Sequence, residues 1–247
     1  MTAKNKLIVA LDVDTADRAL ALVDRLKGSV GMFKVGMQLF TAAGPDLVRR
    51  IVSQGSRVFL DLKYHDIPNT VAMAAVEATR LGVSLFNIHT TGGTEMMKWT
   101  ANAVAETVAR ENLNAPKVLG VTLLTSIDQE TLEQIGINGQ PSTIVGRLAK
   151  LAQESGLGGV VASAQEIEPI RQAVPQNNFV IVTPGIRSST DAPQDQRRTM
   201  TAAEAIREGA DYIVVGRPIM AANDVTAAAD RFVSEIQTAL QARASQA

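Results

Sequence analysis

The sequence predicts an α/β protein that forms a single (β/α)8 barrel of the TIM type, and three observations carry this prediction. The chain has 247 residues, close to the roughly 250 that one barrel of this kind needs. Short β-branched runs alternate with longer segments of helical spacing, and glycine or proline marks many of the joints. Runs such as Gly159–Val161 and Ile213–Val215 are apolar throughout, which is typical of parallel strands covered on both faces.

Eight strands are predicted in order along the chain, each a short hydrophobic run that ends at a turn signal or a polar residue. They span Lys6–Val13, Met32–Leu39, Arg57–Lys63, Leu85–His89, Lys117–Leu124, Gly159–Ser163, Phe179–Thr183 and Tyr212–Val215.

Eight helices are predicted to follow these strands. They span Thr15–Leu26, Asp46–Gln54, Asn69–Leu81, Thr94–Arg110, Ser142–Glu154, Glu166–Ala173, Thr201–Glu208 and Val225–Ala244. An open doubly wound sheet is the structural alternative, but eight repeats suit closure better, and no Gly-rich dinucleotide fingerprint follows the first strand.

No Ser/Gly linker divides the chain, so residues 1–247 are predicted to form one domain. The polar, proline-containing stretch 187–198 is long for a connection and predicts a lid.

Composition excludes several classes of protein. A net charge of −1 with both signs interspersed offers no broad basic field for nucleic acid. The absence of cysteine excludes disulfides, zinc–thiolate sites, iron–sulfur clusters and cysteine nucleophiles, and it favours the cytoplasm. Residues 1–6 lead into a strand-like run without a signal-peptide pattern, and no apolar stretch reaches membrane-spanning length. Neither secretion nor membrane insertion is expected.

The end of the third predicted strand carries the most informative charges. In a β/α barrel the active site is assembled at the C-terminal ends of the strands. Asp61 and Lys63 are two residues apart on this strand, so both side chains are expected on the same face, toward the barrel mouth. Asp66 follows in the loop before a helix whose start Pro68 marks, which puts a second carboxylate within reach of Lys63.

Lys34 on the neighbouring strand extends this pair into an array of alternating charges with Asp61, Lys63 and Asp66. Structural ion pairs at strand ends are the plain alternative. Four desolvated charges are costly unless they are paired, however, so the array favours a chemical role.

The last two strands end in sequences that favour a phosphate site. Pro184, Gly185 and Arg187 follow the seventh strand, and Gly216 and Arg217 follow the eighth. Phosphate sites of these barrels frequently use the loops after strands seven and eight, where glycine N–H groups approach closely and arginine binds the dianion. The alternative is that the glycines only permit turns and the arginines cover the surface.

Two weaker signals complete the survey of strand ends. Thr125 and Ser126 follow the fifth strand and offer hydroxyl groups to a heterocycle, although such residues often cap a helix. Only His65 and His89 are present, which gives little support to a multi-histidine metal site or a Ser–His–Asp triad.

Together these motifs resemble the orotidine 5'-monophosphate decarboxylase family over essentially the whole chain. The resemblance lies in Asp61-x-Lys63-x-x-Asp66-Ile67-x-x-Thr70, Leu11-Asp12, Lys34, Pro184-Gly185-Ile186-Arg187 and Gly216-Arg217-Pro218. It implies a lyase that works without cofactor or metal and converts orotidine 5'-monophosphate to UMP and CO2, the last step of de novo pyrimidine biosynthesis.

The resemblance also implies a role for each matching residue. Lys63 would stabilise the carbanion at C6 of the pyrimidine and protonate it, Asp61 would lie beside the substrate carboxylate, and Lys34 and Asp66 would complete the charged network. A homodimer with shared sites is implied, in which Asp66, Ile67 and Thr70 reach the other subunit's site. Asp12 and Lys34 would contact the ribose, and Thr125 and Ser126 the pyrimidine. Gln196, Gly216 and Arg217 would bind the phosphate, with Pro184 and Arg187 near it, and 187–198 would be the loop that closes over it.

Two other functions remain open at this stage. A Mg²⁺-dependent phosphosugar decarboxylase or aldolase of the same superfamily shares Asp-x-Lys-x-x-Asp, but it places a carboxylate where this chain has Lys34, and an ammonium group beside Asp61 repels a divalent cation. A non-catalytic barrel that binds a phosphate ligand would keep the same charges as structural pairs.

Overall fold

A computed structural model describes residues 2–176, 178–187 and 200–245, and in this part of the chain eight parallel strands close into a barrel. Each strand pairs with the next in sequence, and the last pairs with the first through Leu7 opposite Ile213. The strands are β1 Leu7–Ala10, β2 Met32–Gly36, β3 Val58–Tyr64, β4 Leu85–His89, β5 Lys117–Val121, β6 Gly159–Val161, β7 Val180–Thr183 and β8 Tyr212–Val215. The predicted barrel is confirmed.

Helices follow the strands and form the outer layer, and one short helix, α1, precedes β1. They are α1 Ala3–Lys6, α2 Ala16–Leu26, α3 Met37–Ser53, α4 Pro68–Arg80, α5 Gly93–Glu111, α6 Gln129–Gln134, α7 Pro141–Glu154, α8 Ile167–Ala173, α9 Ala202–Glu208, α10 Arg217–Met220 and α11 Val225–Ala244. Two 3₁₀ turns, Thr90–Gly92 and Ala164–Glu166, precede α5 and α8. Among the residues described, no helix has both the length and the apolar character that a membrane crossing requires.

The apolar strands are explained by a core on each side of the sheet. Alternate residues of a strand point to opposite faces, so Ile8 and Ala10 of β1 belong to the cluster inside the barrel, whereas Leu7 and Val9 belong to the larger cluster between strands and helices. Both faces of every strand are thus covered, as in other all-parallel sheets.

Several predicted boundaries differ from the observed ones. Lys6 ends a short helix instead of opening β1, and its ammonium group donates to the Asp211 carbonyl oxygen at 3.1 Å. β2 ends at Gly36, so residues 37–39, predicted as strand, open α3. That helix is broken at Gly44, whose φ of 68° is followed by Pro45, and the segment after the break corresponds to the helix predicted from Asp46. α1, α6 and α10 were not predicted.

The stretch predicted to close over the phosphate, 187–198, lies outside the described residues except for Arg187. On either side of it, Ile186–Arg187 pairs in parallel with Met200–Thr201, next to the end of β7.

Candidate functional site

The C-terminal ends of the strands surround a cavity of about 630 Å³, within the range of small-molecule sites. Its walls combine apolar residues from inside the barrel with charged groups from the strand ends. The residues predicted from sequence that line it are Asp12, Lys34, Asp61, Lys63, Thr125, Pro184, Arg187, Gly216 and Arg217. These residues come from six different strand ends or the loops that follow them, as the barrel geometry requires.

Three strands contribute an alternating row of charges to the floor of the cavity. Lys63 Nζ lies 2.6 Å from Asp61 Oδ1, and Lys34 Nζ lies 3.7 Å from Asp61 Oδ2 and 3.4 Å from Asp12 Oδ1. The Lys34 and Asp61 side chains are each only 14% exposed, so neither charge is well solvated and each depends on the other. The predicted array is present for Lys34, Asp61 and Lys63, but its fourth member within one chain is Asp12 and not the predicted Asp66.

Asp61 is held as a carboxylate. Burial by itself would raise its pKa, but the charges of Lys34 and Lys63 and the hydrogen bonds from Lys63 and Asn87 outweigh burial and lower the pKa below the ordinary carboxyl value. Since a depressed pKa favours the charged form, Asp61 is ionised throughout the neutral range.

Asp61 and Lys63 meet through an irregular strand and not through the simple alternation that predicted a shared face. Lys63 has a φ of 52°, in the left-handed region, which a residue with a side chain seldom occupies. The pairing of β3 with β4 shifts register between Leu60 and Tyr64. The sequence identified the two residues, but the backbone that brings their charges together is a bulge.

Asn87, on β4, belongs to this site and was not predicted. Its side chain is fully buried. Its Oδ1 accepts the Lys63 backbone N–H at 2.8 Å, and its Nδ2 donates to Asp61 Oδ1 at 2.7 Å. The available signal was a single amide in the otherwise apolar run Leu85–Ile88, because a buried polar group needs partners.

The loops after β7 and β8 contribute to the cavity the glycine and arginine residues predicted for a phosphate. Gly185 has a φ of 79°, which favours glycine at the turn after β7. A Cβ at Gly216 would lie 3.0 Å from Asp12 Oδ2, so glycine here allows the chain after β8 to pass close to the carboxylate. Arg187 and Arg217 both line the cavity, so two guanidinium side chains are available to an anion there.

Four predicted residues are not in the cavity of their own chain. Asp66, Ile67 and Thr70 are exposed and do not line it. Among the described ion pairs Asp66 has none with Lys63, and its Oδ1 accepts the Ile67 N–H instead. Ser126 is exposed just beyond Thr125, outside the cavity lining, because the chain turns away after Thr125. Gln196 lies outside the described residues.

His65 and His89 stand beside the charged row, with ring centroids 5.3 Å apart. Burial, then His65 and Lys63, lower the pKa of His89, against a smaller opposing effect of Asp61. His89 is therefore mainly neutral at pH 7. In the described ranges, no group of three or more histidine or acidic side chains is arranged to hold a metal ion.

Comparison with known proteins agrees with this geometry. Residues 5–232 match the family model "Orotidine 5'-phosphate decarboxylase / HUMPS family". The chain is 53% identical to an orotidine 5'-phosphate decarboxylase of Syntrophotalea carbinolica over 239 residues, 97% of this chain and 98% of the relative. It is 53% identical to one of Moorella thermoacetica over 238 residues, 96% of this chain and 94% of the relative. A solved orotidine 5'-phosphate decarboxylase from Lactobacillus acidophilus superposes with a TM-score of 0.82 at 35% identity, covering 93% of this chain and 98% of that one.

Proposed function

The chain belongs to the orotidine 5'-phosphate decarboxylase / HUMPS family, and we propose that Lys63 is the proton donor of its reaction. In that reaction the enzyme releases CO2 from orotidine 5'-monophosphate to give UMP, the last step of de novo pyrimidine biosynthesis. The observation that carries this proposal is the row of charges at the cavity, in which the Lys63 ammonium lies 2.6 Å from the largely buried Asp61 carboxylate. An ammonium group fixed in a water-poor cavity can act on charge that develops next to it.

The reaction leaves a difficult intermediate. As the bond between C6 and the carboxyl carbon breaks, its electron pair stays on C6, where the ring offers no electron sink. The Lys63 ammonium stabilises that pair and then transfers a proton from Nζ to C6, so that UMP and neutral Lys63 result before the amine regains its proton from solvent. Asp61 lies beside the leaving carboxylate, and Lys34 keeps Asp61 ionised and in place.

The rest of the substrate is assigned to the other strand ends. Asp12 and Lys34 would hold the ribose hydroxyls, and Thr125 with Ser126 the pyrimidine. Gly216, Arg217, Gln196, Pro184 and Arg187 would surround the phosphate, with 187–198 as the loop that closes over it. The arginines line the same cavity as Lys63 but follow other strands, so phosphate binding energy would contribute to the reaction at the pyrimidine. A cytoplasmic location also belongs to this proposal, supported by the absence of cysteine.

Turnover is expected to need no metal. Lys34 Nζ lies between Asp12 and Asp61, at 3.4 Å and 3.7 Å, where a divalent cation would meet an ammonium group as a like charge. Purified protein should therefore decarboxylate orotidine 5'-monophosphate equally fast in excess EDTA and in Mg²⁺, as followed by the pyrimidine absorbance change. An absolute requirement for Mg²⁺, or turnover of ketose phosphates only, would instead support the metal-dependent phosphosugar branch.

We further propose a homodimer in which each subunit completes the other's site. Asp66, Ile67 and Thr70 are exposed and lie outside their own cavity. Thr70 and Met73 are three residues apart and so share one face of α4, Ile67 and Met73 are 67% and 52% exposed, and Trp99 on the adjacent α5 is 47% exposed. Large apolar side chains exposed on two neighbouring helices support a contact surface there.

Mixing two inactive variants tests the shared site. Lys63→Ala and Asp66→Asn should each be nearly inactive alone. In a heterodimer of the two, one site carries both changes and the other carries neither, so a refolded equimolar mixture should regain about a quarter of wild-type activity. Mixing Lys63→Ala with Lys34→Ala, which alter the same subunit's contribution, provides the control and should recover nothing. Absence of recovery in the first mixture, with dimers present, would place Asp66 in its own subunit's site or outside the site.

A further inference from the structure

Asn87 lies on β4 where the pairing of β3 with β4 is interrupted, next to Asp61 and Lys63 of the charged row. Leu60 of β3 is paired with Phe86 of β4, and Tyr64 with Ile88. Between these pairs β3 has three residues, whereas β4 has only Asn87. The strands cannot form a regular ladder over this stretch, so the backbone N–H of Lys63 needs a partner from elsewhere.

The Asn87 side chain supplies that partner, and the chemistry of its neighbours fixes its orientation. A backbone N–H only donates and a carboxylate only accepts. Oδ1 must therefore face the Lys63 N–H, at 2.8 Å, and Nδ2 must face Asp61 Oδ1, at 2.7 Å. A flipped amide would oppose donor to donor and acceptor to acceptor, so one orientation alone satisfies both contacts.

Each of these contacts acts on a group of the charged row. The first holds the backbone of Lys63 at its φ of 52°, a conformation with a steric cost for any residue that has a Cβ. The second holds the oxygen of Asp61 that also accepts from Lys63 Nζ at 2.6 Å, which leaves Oδ2 toward Lys34. Asn87 itself does not line the cavity, and it therefore acts on the substrate only through these two residues.

We propose that Asn87 is a positioning residue for decarboxylation, which fixes the Lys63 ammonium and the Asp61 carboxylate relative to each other by bridging the Lys63 backbone and Asp61 Oδ1. This inference rests on the roles proposed for Lys63 and Asp61. A group held behind the reacting end and away from the phosphate and ribose contacts contributes to the rate of the chemical step and little to the affinity for the remainder of the ligand.

Replacement of the amide by an apolar side chain of similar size tests the proposal. Asn87→Leu removes both hydrogen bonds, and we expect kcat to fall about 10²-fold, the cost of a small misplacement of reacting groups. Binding of UMP, measured by calorimetry, should change by less than about threefold, because its phosphate and ribose lie at other strand ends.

Thr90→Val provides the matched control. Thr90 is also buried at this end of the barrel, just after β4, and its hydroxyl donates to the Val121 carbonyl oxygen at 2.8 Å. The valine keeps the shape and removes one buried hydrogen bond that does not reach Asp61 or Lys63. We expect a lower melting temperature with kcat within about twofold of wild type.

Asn87→Asp adds a readout that a purely structural role would not give. It keeps the shape and an acceptor for the Lys63 N–H, but it places a second carboxyl group against Asp61. Two carboxylates at this distance raise the pKa of one of them, and once protonated the new acid donates to Asp61 as the amide did. The ratio of variant to wild-type kcat should therefore rise as the pH falls from about 8 to about 6.

The outcomes separate cleanly. A large loss of kcat in Asn87→Leu with unchanged UMP binding, together with the pH-dependent recovery of Asn87→Asp, supports the positioning role. Wild-type kcat in folded Asn87→Leu, or a flat pH ratio for Asn87→Asp, overturns it. Lys63→Ala is measured alongside. If this variant retains turnover, the role proposed for Lys63 fails. If Lys63→Ala loses turnover while Asn87→Leu remains active, only the inference about Asn87 is rejected.

Discussion

Replacing Lys63 with alanine is expected to lower kcat for orotidine 5'-monophosphate by about 10⁴-fold or more, or ~5.5 kcal/mol in the activation free energy. Two effects disappear together, since the same ammonium group stabilises the charge that develops on C6 and delivers the proton. General acid catalysis contributes roughly 10²–10⁴-fold, and a positioned electrostatic donor about 10²–10³-fold.

The fold should survive this replacement. Asp61 would still be paired with Lys34 and would still accept from Asn87, so it does not become an isolated buried charge. The steric cost of the left-handed backbone conformation at position 63 is about the same for alanine as for lysine, because both have a Cβ. Circular dichroism and thermal melting should therefore be close to those of the wild type, with UMP still bound.

Two further variants make the result specific. Lys63→Arg keeps a positive charge but cannot give up a proton at accessible pH, and it should remain far below wild-type kcat. Lys150→Ala removes a lysine whose side chain is 62% exposed on α7, and it should leave turnover unchanged. Wild-type turnover in Lys63→Ala would favour a barrel that binds the nucleotide without using Lys63 chemically.

Replacing Arg217 with alanine is expected to lower kcat/KM for the phosphorylated substrate by about 10²-fold, which is ~2.7 kcal/mol and typical of a charge-assisted hydrogen bond to a dianion. The loss should appear in kcat as well as in KM, because binding energy from a remote group contributes to the reaction at the pyrimidine. Steady-state kinetics over a range of substrate concentrations measures both constants.

The nucleoside orotidine, which has no phosphate, identifies the cause of that loss. Arg217→Ala should leave its slow decarboxylation nearly unchanged, since there is no dianion to bind. Arg147→Ala on the exposed face of α7 controls for the loss of a positive charge alone. An equal loss with both substrates in Arg217→Ala would mean that Arg217 supports the fold of the site and does not bind the phosphate.

The sequence by itself determined the barrel and the strand ends that carry charge. Hydrophobic periodicity depends on local sterics and on which face is buried, and both are encoded residue by residue. Runs such as Tyr212–Val215 therefore indicated buried parallel strands, and the positions of Lys34, Asp61 and Lys63 predicted charges that converge at one end. The glycine and arginine residues after β7 and β8 were found in the same way, from strand ends that had to meet.

Only the tertiary structure decided how those charges are held. The left-handed backbone of Lys63, the two hydrogen bonds of Asn87 and the place of Lys34 between two carboxylates depend on the register of neighbouring strands. Residues distant in the chain set that register, and alternation along a single strand does not contain it. For the same reason Ser126 lies outside the cavity although it follows a correctly predicted strand, and Asp66 has no ion pair with Lys63 in its own chain. Local patterns specify which elements form, whereas pairing between elements specifies which side chains touch.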